Sequence, residues 1–238
     1  MITTLLFDYG GTLDTSACHW FYVFQNAYSA IATKCIEERN LREAYVMGER
    51  ALAKQRIVMS NDTFYDMLVK KVSIQVKHLE EVLNLMHFST TEERSAFIKQ
   101  IASFCDDFAR QHATQSANVL AVLKQNYKLI MVSNFYGNLH AVLQTYGLAN
   151  YFDNVIESSV VGVRKPDPAI WQLGVEAAHC DANSCVAIGD SYNKDIVPAS
   201  SIGCQTVWFK GREWEEKSFD ETLPTHIIER FEDILKLY

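Results

Sequence analysis

Apolar residues recur at spacings of three and four through the first half of this chain and gather into short runs through the second half. Trp20, Val23, Phe24, Ala27 and Ile31 form one stripe of helical period. Phe64, Met67, Leu68 and Ile74 form another, interrupted by Lys71. From Thr12 to Tyr136 there is one glycine, Gly48, and no proline. Helices fill such unpunctuated sequence most naturally. The pattern predicts four, near 17–39, 41–59, 62–86 and 91–112, the last opened by a capping box of Thr90 with Glu93.

Outside this block the rhythm alternates. Thr3–Asp8 reads as a strand, ended by Gly10 and Gly11. After a helix at Ala117–Gln125, the buried run Lys128–Asn134 is a strand with a polar end. Helix Leu139–Tyr146 is closed by Gly147, and Phe152–Ser158 is the next strand. The loop Gly162–Pro168 leads into a helix through Ala178, then strand Val186–Asp190. Helix Lys194–Ser201, strands Gln205–Phe209 and Thr225–Ile228, and helix Phe231–Lys236 complete the chain. Alternating strand and helix implies an α/β fold with a parallel, doubly wound, Rossmann-like sheet. The helical block is then an insertion after the first strand, resembling a four-helix bundle.

Composition narrows the function. The chain has 238 residues, is 48% hydrophobic and carries a net charge of −7. Without a basic run, nucleic acid and anionic membranes are poor partners, although local lysines and a metal leave room for an anionic small molecule. No apolar run reaches the length of a membrane span, and Met1–Phe7 lacks the basic start of a signal peptide, so a cytoplasmic protein is expected. Six scattered cysteines without CxxC pairs suit a reduced compartment and buried free thiols.

Four strand ends, or the loops that follow them, carry polar residues: Asp8, Ser133 with Asn134, Lys165, and Asp190 with Asp195. Taken singly, each has a plain structural use as a turn residue, a helix cap or a solvated cation. In a parallel sheet all four converge at one edge, where ligands bind. As a set they describe phosphoryl transfer. Asp8 can attack phosphorus and form an aspartyl-phosphate. Asp8 and Asp190 can share Mg²⁺, with the Gly10 carbonyl as a third ligand. Lys165 and the Ser133 hydroxyl can meet the phosphoryl oxygens. Asp195 can hold a metal-bound water or orient Lys165.

These segments carry a family resemblance. Phe7–Asp14, Val132–Asn134, Val163–Pro168 and Gly189–Asp195 resemble the motif set of the haloacid dehalogenase-like (HAD) hydrolases, along nearly the whole chain. The resemblance implies a Rossmann-like core at 1–15 and 114–238 and a helical cap at 16–113 that closes over substrate. It implies a Mg²⁺-dependent phosphatase acting on a small phosphorylated metabolite, with Asp8, Lys165 and Ser133 catalytic, Ser133, Asn134 and Lys165 on the substrate, and Asp8, Gly10, Asp190 and Asp195 at the metal.

One position departs from the pattern. The family's phosphatases carry a second aspartate, their general acid and base, two residues after the nucleophile; here it is Gly10. Such a group contributes about 10²–10⁴-fold. A good leaving group, such as an acyl or aryl phosphate, would dispense with the acid. Tyr9, Asp14 or His19 could supply the proton, although packing or capping is the plainer use of each. The family's 2-haloacid dehalogenases lack the second aspartate but also lack the metal aspartate, which Asp190 provides here. Its phosphonate-cleaving branch uses a cap lysine as a Schiff base, for which Lys34, Lys54, Lys70 and Lys71 are candidates, with solvated lysines the plainer reading. A weakly active binding protein for a phosphorylated ligand or a partner protein ranks second to the phosphatase.

Substrate choice would lie on the cap. His19, Trp20, Phe21 and Tyr22 could line its mouth, but Trp20, Phe21, Phe24 and Tyr28 read more simply as bundle core. The seven histidines form no pair with ligand spacing, and no pattern sets the oligomeric state.

Overall fold

Strand β1 (Thr4–Phe7) lies in the middle of the sheet, hydrogen-bonded to β2 (Lys128–Ser133) on one side and β4 (Cys185–Gly189) on the other. With β3 (Asn154–Glu157), β5 (Gln205–Phe209) and β6 (His226–Ile228), these make a six-stranded parallel sheet in the order β3-β2-β1-β4-β5-β6. The computed structural model describes residues 1–214 and 217–238. Both faces of the sheet are covered, so its strands are nearly all apolar. Leu5, Phe7, Met131 and Ile188 belong to the larger core on one face. Leu6, Ile130, Val132 and Ala187 pack on the other, under Ile170, Trp171 and Val175 of α7 (Ala169–Ala178). Burying such a side chain fully is worth about 1.5–3 kcal/mol. The alternation Leu5-Leu6-Phe7 therefore locks the register and points the next residue, Asp8, out of the strand's end.

The helical insertion comprises α1 (Trp20–Ile31), α2 (Glu38–Lys54), α3 (Phe64–Lys77) and α4 (Thr91–Leu123). Helix α3 continues into a wider π-type turn at His78–Val82. The expected helices at 91–112 and 117–125 are one helix of 33 residues. No glycine or proline interrupts the stretch, and Ala109, Ala113 and Ser116 keep one buried face in phase. The expected boundary at 113/114 thus falls inside α4, which runs from the insertion to the sheet. The Ser116 hydroxyl donates to the Leu13 carbonyl at 2.9 Å, and Tyr146 donates to Asp106 of α4 at 2.7 Å.

Two capping expectations change. Thr90 accepts from the Glu93 amide, but the Glu93 carboxylate takes the Ser89 amide instead of closing the box. The complete capping box is at Thr63 and Asp66, at the start of α3. Beyond β2, α5 (Leu139–Thr145), α6 (Ser158–Val161) and α8 (Val197–Ser201) are short, and Phe231–Lys236 is a 3₁₀ helix. Gly147 closes α5 at φ 71°, as its position suggests. All six cysteines are free; Cys105, Cys185 and Cys204 are buried, but Cys35 is exposed.

Helix α3 carries Phe64, Met67, Leu68 and Lys71, which face the cavity described below. Thr63→Ala removes the side-chain acceptor for the Asp66 amide and one of the two Thr63 donors to its carboxylate, leaving the backbone N–H. It is expected to cost about 1 kcal/mol, measured as a lower urea midpoint with an unchanged slope; no shift would show that the cap does not hold α3.

Candidate active site

Asp8 follows β1 and Asp190 follows β4, and these neighbouring strands carry the chain to opposite halves of the sheet. Their carboxyl ends therefore flank the topological switch point, where an open α/β sheet leaves a crevice. Lys165 reaches the crevice from the loop before α7. Its ammonium lies 2.6 Å from Asp8 Oδ1 and 2.7 Å from Asp195 Oδ1, and it is only 3% exposed. The Trp171 ring lies beneath it, 4.5 Å from Nζ. Asp195 sits in the π-type turn Tyr192–Ile196, and its other oxygen accepts from the Ser191 amide at 2.9 Å.

Two glycines give these carboxylates room. Gly11 has φ 100°, and a Cβ there would sit 2.3 Å from Asp190 Oδ2. At Gly189 a Cβ would meet the Asp195 carboxyl at 2.4 Å. Gly10 differs: a Cβ there would have no atom within 4 Å beyond its chain neighbours. The site thus has open space where the family's second carboxylate is expected. Thr12 spans the two metal-side aspartates, its hydroxyl 3.4 Å from Asp8 Oδ2 and 3.3 Å from Asp190 Oδ1. Sequence reasoning passed over Thr12.

This acidic cluster could hold a cation. Asp8, Asp190 and Asp195 offer oxygens within 4.8 Å of one another. Burial pushes the Asp190 carboxyl well up, and the charges of Asp8 and Asp195 push it further. Burial also raises Asp195, to about 6, against the opposing pull of Lys165. Burial depresses Lys165, but Asp195 and Asp8 outweigh it and hold the ammonium charged. Fully ionised, three carboxylates against one ammonium would leave two negative charges; burial and this surplus push Asp190 towards its protonated form, and a hard divalent cation with oxygen ligands would balance the surplus. The residues present fit Mg²⁺.

A cavity of about 630 Å³ opens above this floor and reaches the helical insertion. Asp8, Gly10, Ser133, Asn134, Lys165, Asp190 and Asp195 all line it, so topology gathers every expected site residue. Asn134 is engaged with protein: its Oδ1 accepts from the Lys165 amide at 2.9 Å, and its Nδ2 donates to the Lys165 carbonyl at 3.0 Å. It fixes the lysine loop while lining the cavity.

The three proposed replacements for the missing acid fare differently. Tyr9 is fully buried against Phe64 and Phe135 and does not line the cavity. His19, expected as an ordinary helix residue, is the N-cap of α1; its Nδ1 accepts from the Phe21 amide at 3.2 Å. Burial, aided by Lys194, holds it neutral with a pKa of about 4. Asp14 is buried and takes the Gly11 amide at 2.7 Å and the Trp20 indole N–H at 3.1 Å. Burial raises its carboxyl to about 7, although both hydrogen bonds oppose the rise.

The largest departure is in the insertion. Lys71, expected at a solvated face, is 5% exposed. Its ammonium donates to Glu49 Oε1 at 2.7 Å and to the Tyr136 hydroxyl at 3.2 Å, and Tyr136 donates to the other Glu49 oxygen. All three line the cavity. The interruption of the α3 stripe at Lys71 was the available signal. Of the expected aromatics, Phe21, Phe24 and Tyr28 are core, whereas His19 and Trp20 line the cavity.

The comparisons with known proteins agree with this architecture. Residues 2–203 match the haloacid dehalogenase-like hydrolase family model, and the chain belongs to that family of hydrolases. It is 30% identical over 127 residues to haloacid dehalogenase-like hydrolase domain-containing protein 3 of Danio rerio; the match spans 53% of this chain and only half of that protein. It is 24% identical over 200 residues to the pyrimidine 5'-nucleotidase PynA of Streptococcus pneumoniae, covering 82% of this chain and 83% of that one. A solved dehalogenase structure shares the fold with a TM-score of 0.67 at 15% identity, over 99% of this chain and 96% of that one. Among the described residues no helix is long and apolar enough to cross a membrane.

Asp14 has a pH signature. Its folded-state pKa of about 7 lies above the ordinary 3.8, so between these values the folded chain holds a proton that the unfolded chain has released. Its contribution is therefore most favourable at low pH and is lost as pH rises towards 7. Measured by denaturation at pH 5 and pH 7.5, Asp14→Asn should gain about 1–3 kcal/mol relative to the parent at the higher pH. A pH-independent difference would contradict a protonated Asp14.

Proposed function

We propose that this chain is a Mg²⁺-dependent phosphatase acting through an aspartyl-phosphate at Asp8, with residues 16–113 serving as a cap over the core at 1–15 and 114–238. The observation that carries the reading is Asp8 itself: a carboxylate at a strand end, 2.6 Å from a buried ammonium and grouped with Asp190 and Asp195 at the floor of a cavity. The family membership and the nucleotidase relative support phosphate-ester chemistry.

Asp8, Asp190 and Asp195, with the Gly10 carbonyl, would hold the metal. When bound, Mg²⁺ offsets repulsion between the anionic nucleophile and the phosphate. The chain's own residues do the rest. An Asp8 oxygen forms a bond to phosphorus as the bond to the leaving oxygen breaks, and that oxygen keeps the electron pair. Lys165, oriented by Asp195 and by the Asn134 clamp on its backbone, supplies positive charge beside the phosphoryl oxygens. The Ser133 hydroxyl donates to the same oxygens. Water then cleaves the aspartyl-phosphate and restores Asp8.

Gly10 shapes what this site turns over. It cannot protonate a leaving oxygen or deprotonate the second-step water. Acyl and aryl phosphates, whose leaving groups depart as anions, are the substrates it handles best. Attack by water then limits turnover. A second reading, a phospho-ligand-binding protein of little activity, is favoured by the same glycine.

The defining experiment follows phosphate release from an aryl phosphate. Activity should require Mg²⁺ and vanish in Asp8→Asn; equal activity in EDTA would reject the reading. The first turnover should appear as a burst of the aryl alcohol, with phosphate trapped on Asp8 and released without a burst.

Gly10→Asp tests the missing carboxylate separately. The open space at this position admits a Cβ without a clash. The variant should fold with an unchanged melting temperature, abolish the burst and raise kcat on alkyl phosphates by about 10²-fold or more. No gain on alkyl phosphates would favour the binding protein.

A further inference from the structure

The group of buried Lys71 with half-buried Glu49 and Tyr136 has hydrogen-bonding capacity left over. An ammonium carries three N–H donors. Glu49 and Tyr136 take two of those on Lys71. The Tyr136 hydroxyl is spent, accepting from Lys71 and donating to Glu49. The Glu49 carboxylate accepts from Lys71 at one oxygen and from Tyr136 at the other, and the Tyr45 hydroxyl also interacts with it; of its roughly four lone-pair sites one is left to spare. One donor on Lys71 and acceptor capacity on Glu49 thus remain side by side on residues that line the cavity.

The fold has made room for this group. Gly48 is the glycine of the helical stretch, and a Cβ there would come within 3.1 Å of Lys71 Cγ and 3.2 Å of Gln75 Cγ. Helix α2 is therefore close enough to α3 for Glu49, the next residue, to reach the lysine. Burial works against the Lys71 charge, but Glu49 and Tyr136 more than restore it and raise its pKa. A lysine held protonated is a donor and not an amine nucleophile, which argues against Schiff-base chemistry here.

The chemistry of the occupant follows. A second anion would meet the Glu49 carboxylate beside Lys71 and be repelled. An uncharged group with an acceptor next to a donor matches both. Trp20, Tyr45, Phe64 and Phe135 line the same cavity and offer apolar, ring-shaped surface. Its volume of about 630 Å³ is in the range that holds a whole small molecule and not phosphate alone.

We propose that Lys71 and Glu49 form the leaving-group subsite of this cavity and read the adjacent carbonyl and N–H of a planar, uncharged ring, as in the imide edge of a uracil-type base. Lys71 donates to the carbonyl and Glu49 accepts from the N–H, while Tyr136 holds the pair in place. The proposal rests on the phosphatase reading for the position of the phosphate at the cavity floor.

Uridine and cytidine 5'-monophosphate test it, because cytosine presents a lone pair where uracil presents the N–H. Binding is measured by calorimetry with Mg²⁺ on the full chain carrying Asp8→Asn, so that no turnover intervenes. The uridine nucleotide should bind at least tenfold tighter. Adding Lys71→Met or the isosteric Glu49→Gln should bring the ratio to within about twofold. Equal binding of the two nucleotides, a ratio that survives both substitutions, or no binding of the uridine nucleotide overturns the subsite; Glu49→Gln carries the test if Lys71→Met fails to fold. Phosphate release from an aryl phosphate by the unsubstituted chain is scored separately, because a nucleotide's 5'-phosphate is an alkyl ester that a site without the second carboxylate turns over poorly. Its absence beside an intact, Lys71-dependent binding ratio would sink the phosphatase reading and leave the subsite standing.

Discussion

The Lys165 ammonium, held between Asp8 and Asp195, is the interaction on which the rest of this site depends. Burying a cation is tolerated only when it is paired and hydrogen-bonded, and here two carboxylates at 2.6 and 2.7 Å do both. The arrangement also poses a problem, since Asp190 lies close by, where burial and the neighbouring carboxylates disfavour its charged form. One ammonium cannot neutralise three carboxylates. Were all three ionised, the surplus would suit the divalent cation and anionic substrate of the proposed phosphatase.

Backbone geometry delivers those charges. Asp8 and Asp190 are neighbours because β1 and β4 pair in parallel, with Phe7 opposite Ile188. Gly11 and Gly189 let the Asp190 and Asp195 carboxylates come within distances that any Cβ would block. Asn134 ties the end of β2 to the lysine loop through two hydrogen bonds. The catalytic floor is thus a consequence of strand order and of side chains that hold loops.

Much of this was legible in the residues. The short apolar runs announced the strands, and their polar ends announced the floor, since a period of two buries one set and projects the next residue. Helix breaks were harder to read. The 33-residue α4 was split because the residues that carry its buried face through the middle, Ala109, Ala113 and Ser116, are small or polar and give a weak apolar signal, although the face itself stays in phase. Lys71 was misjudged for a related reason: a lysine at a core position of a stripe looks like an error until Glu49 and Tyr136, 22 and 65 residues away, come to meet it. His19 and Asp14 likewise have uses set by hydrogen bonds to the backbone and to Trp20.

The chain alone therefore determined its fold class and the identity of its charged floor, because hydrophobic period and strand-end residues are local properties. It also determined the absence of a carboxylate at position 10. Tertiary structure decided the matters that depend on distance and burial. It kept His19 neutral, left open space beside Gly10, and brought a lysine, a glutamate and a tyrosine from three separate segments to one cavity wall. Charges far apart in sequence acquire a shared environment only when the fold removes the water between them, so the pKa values and the polar wall belong to the folded molecule.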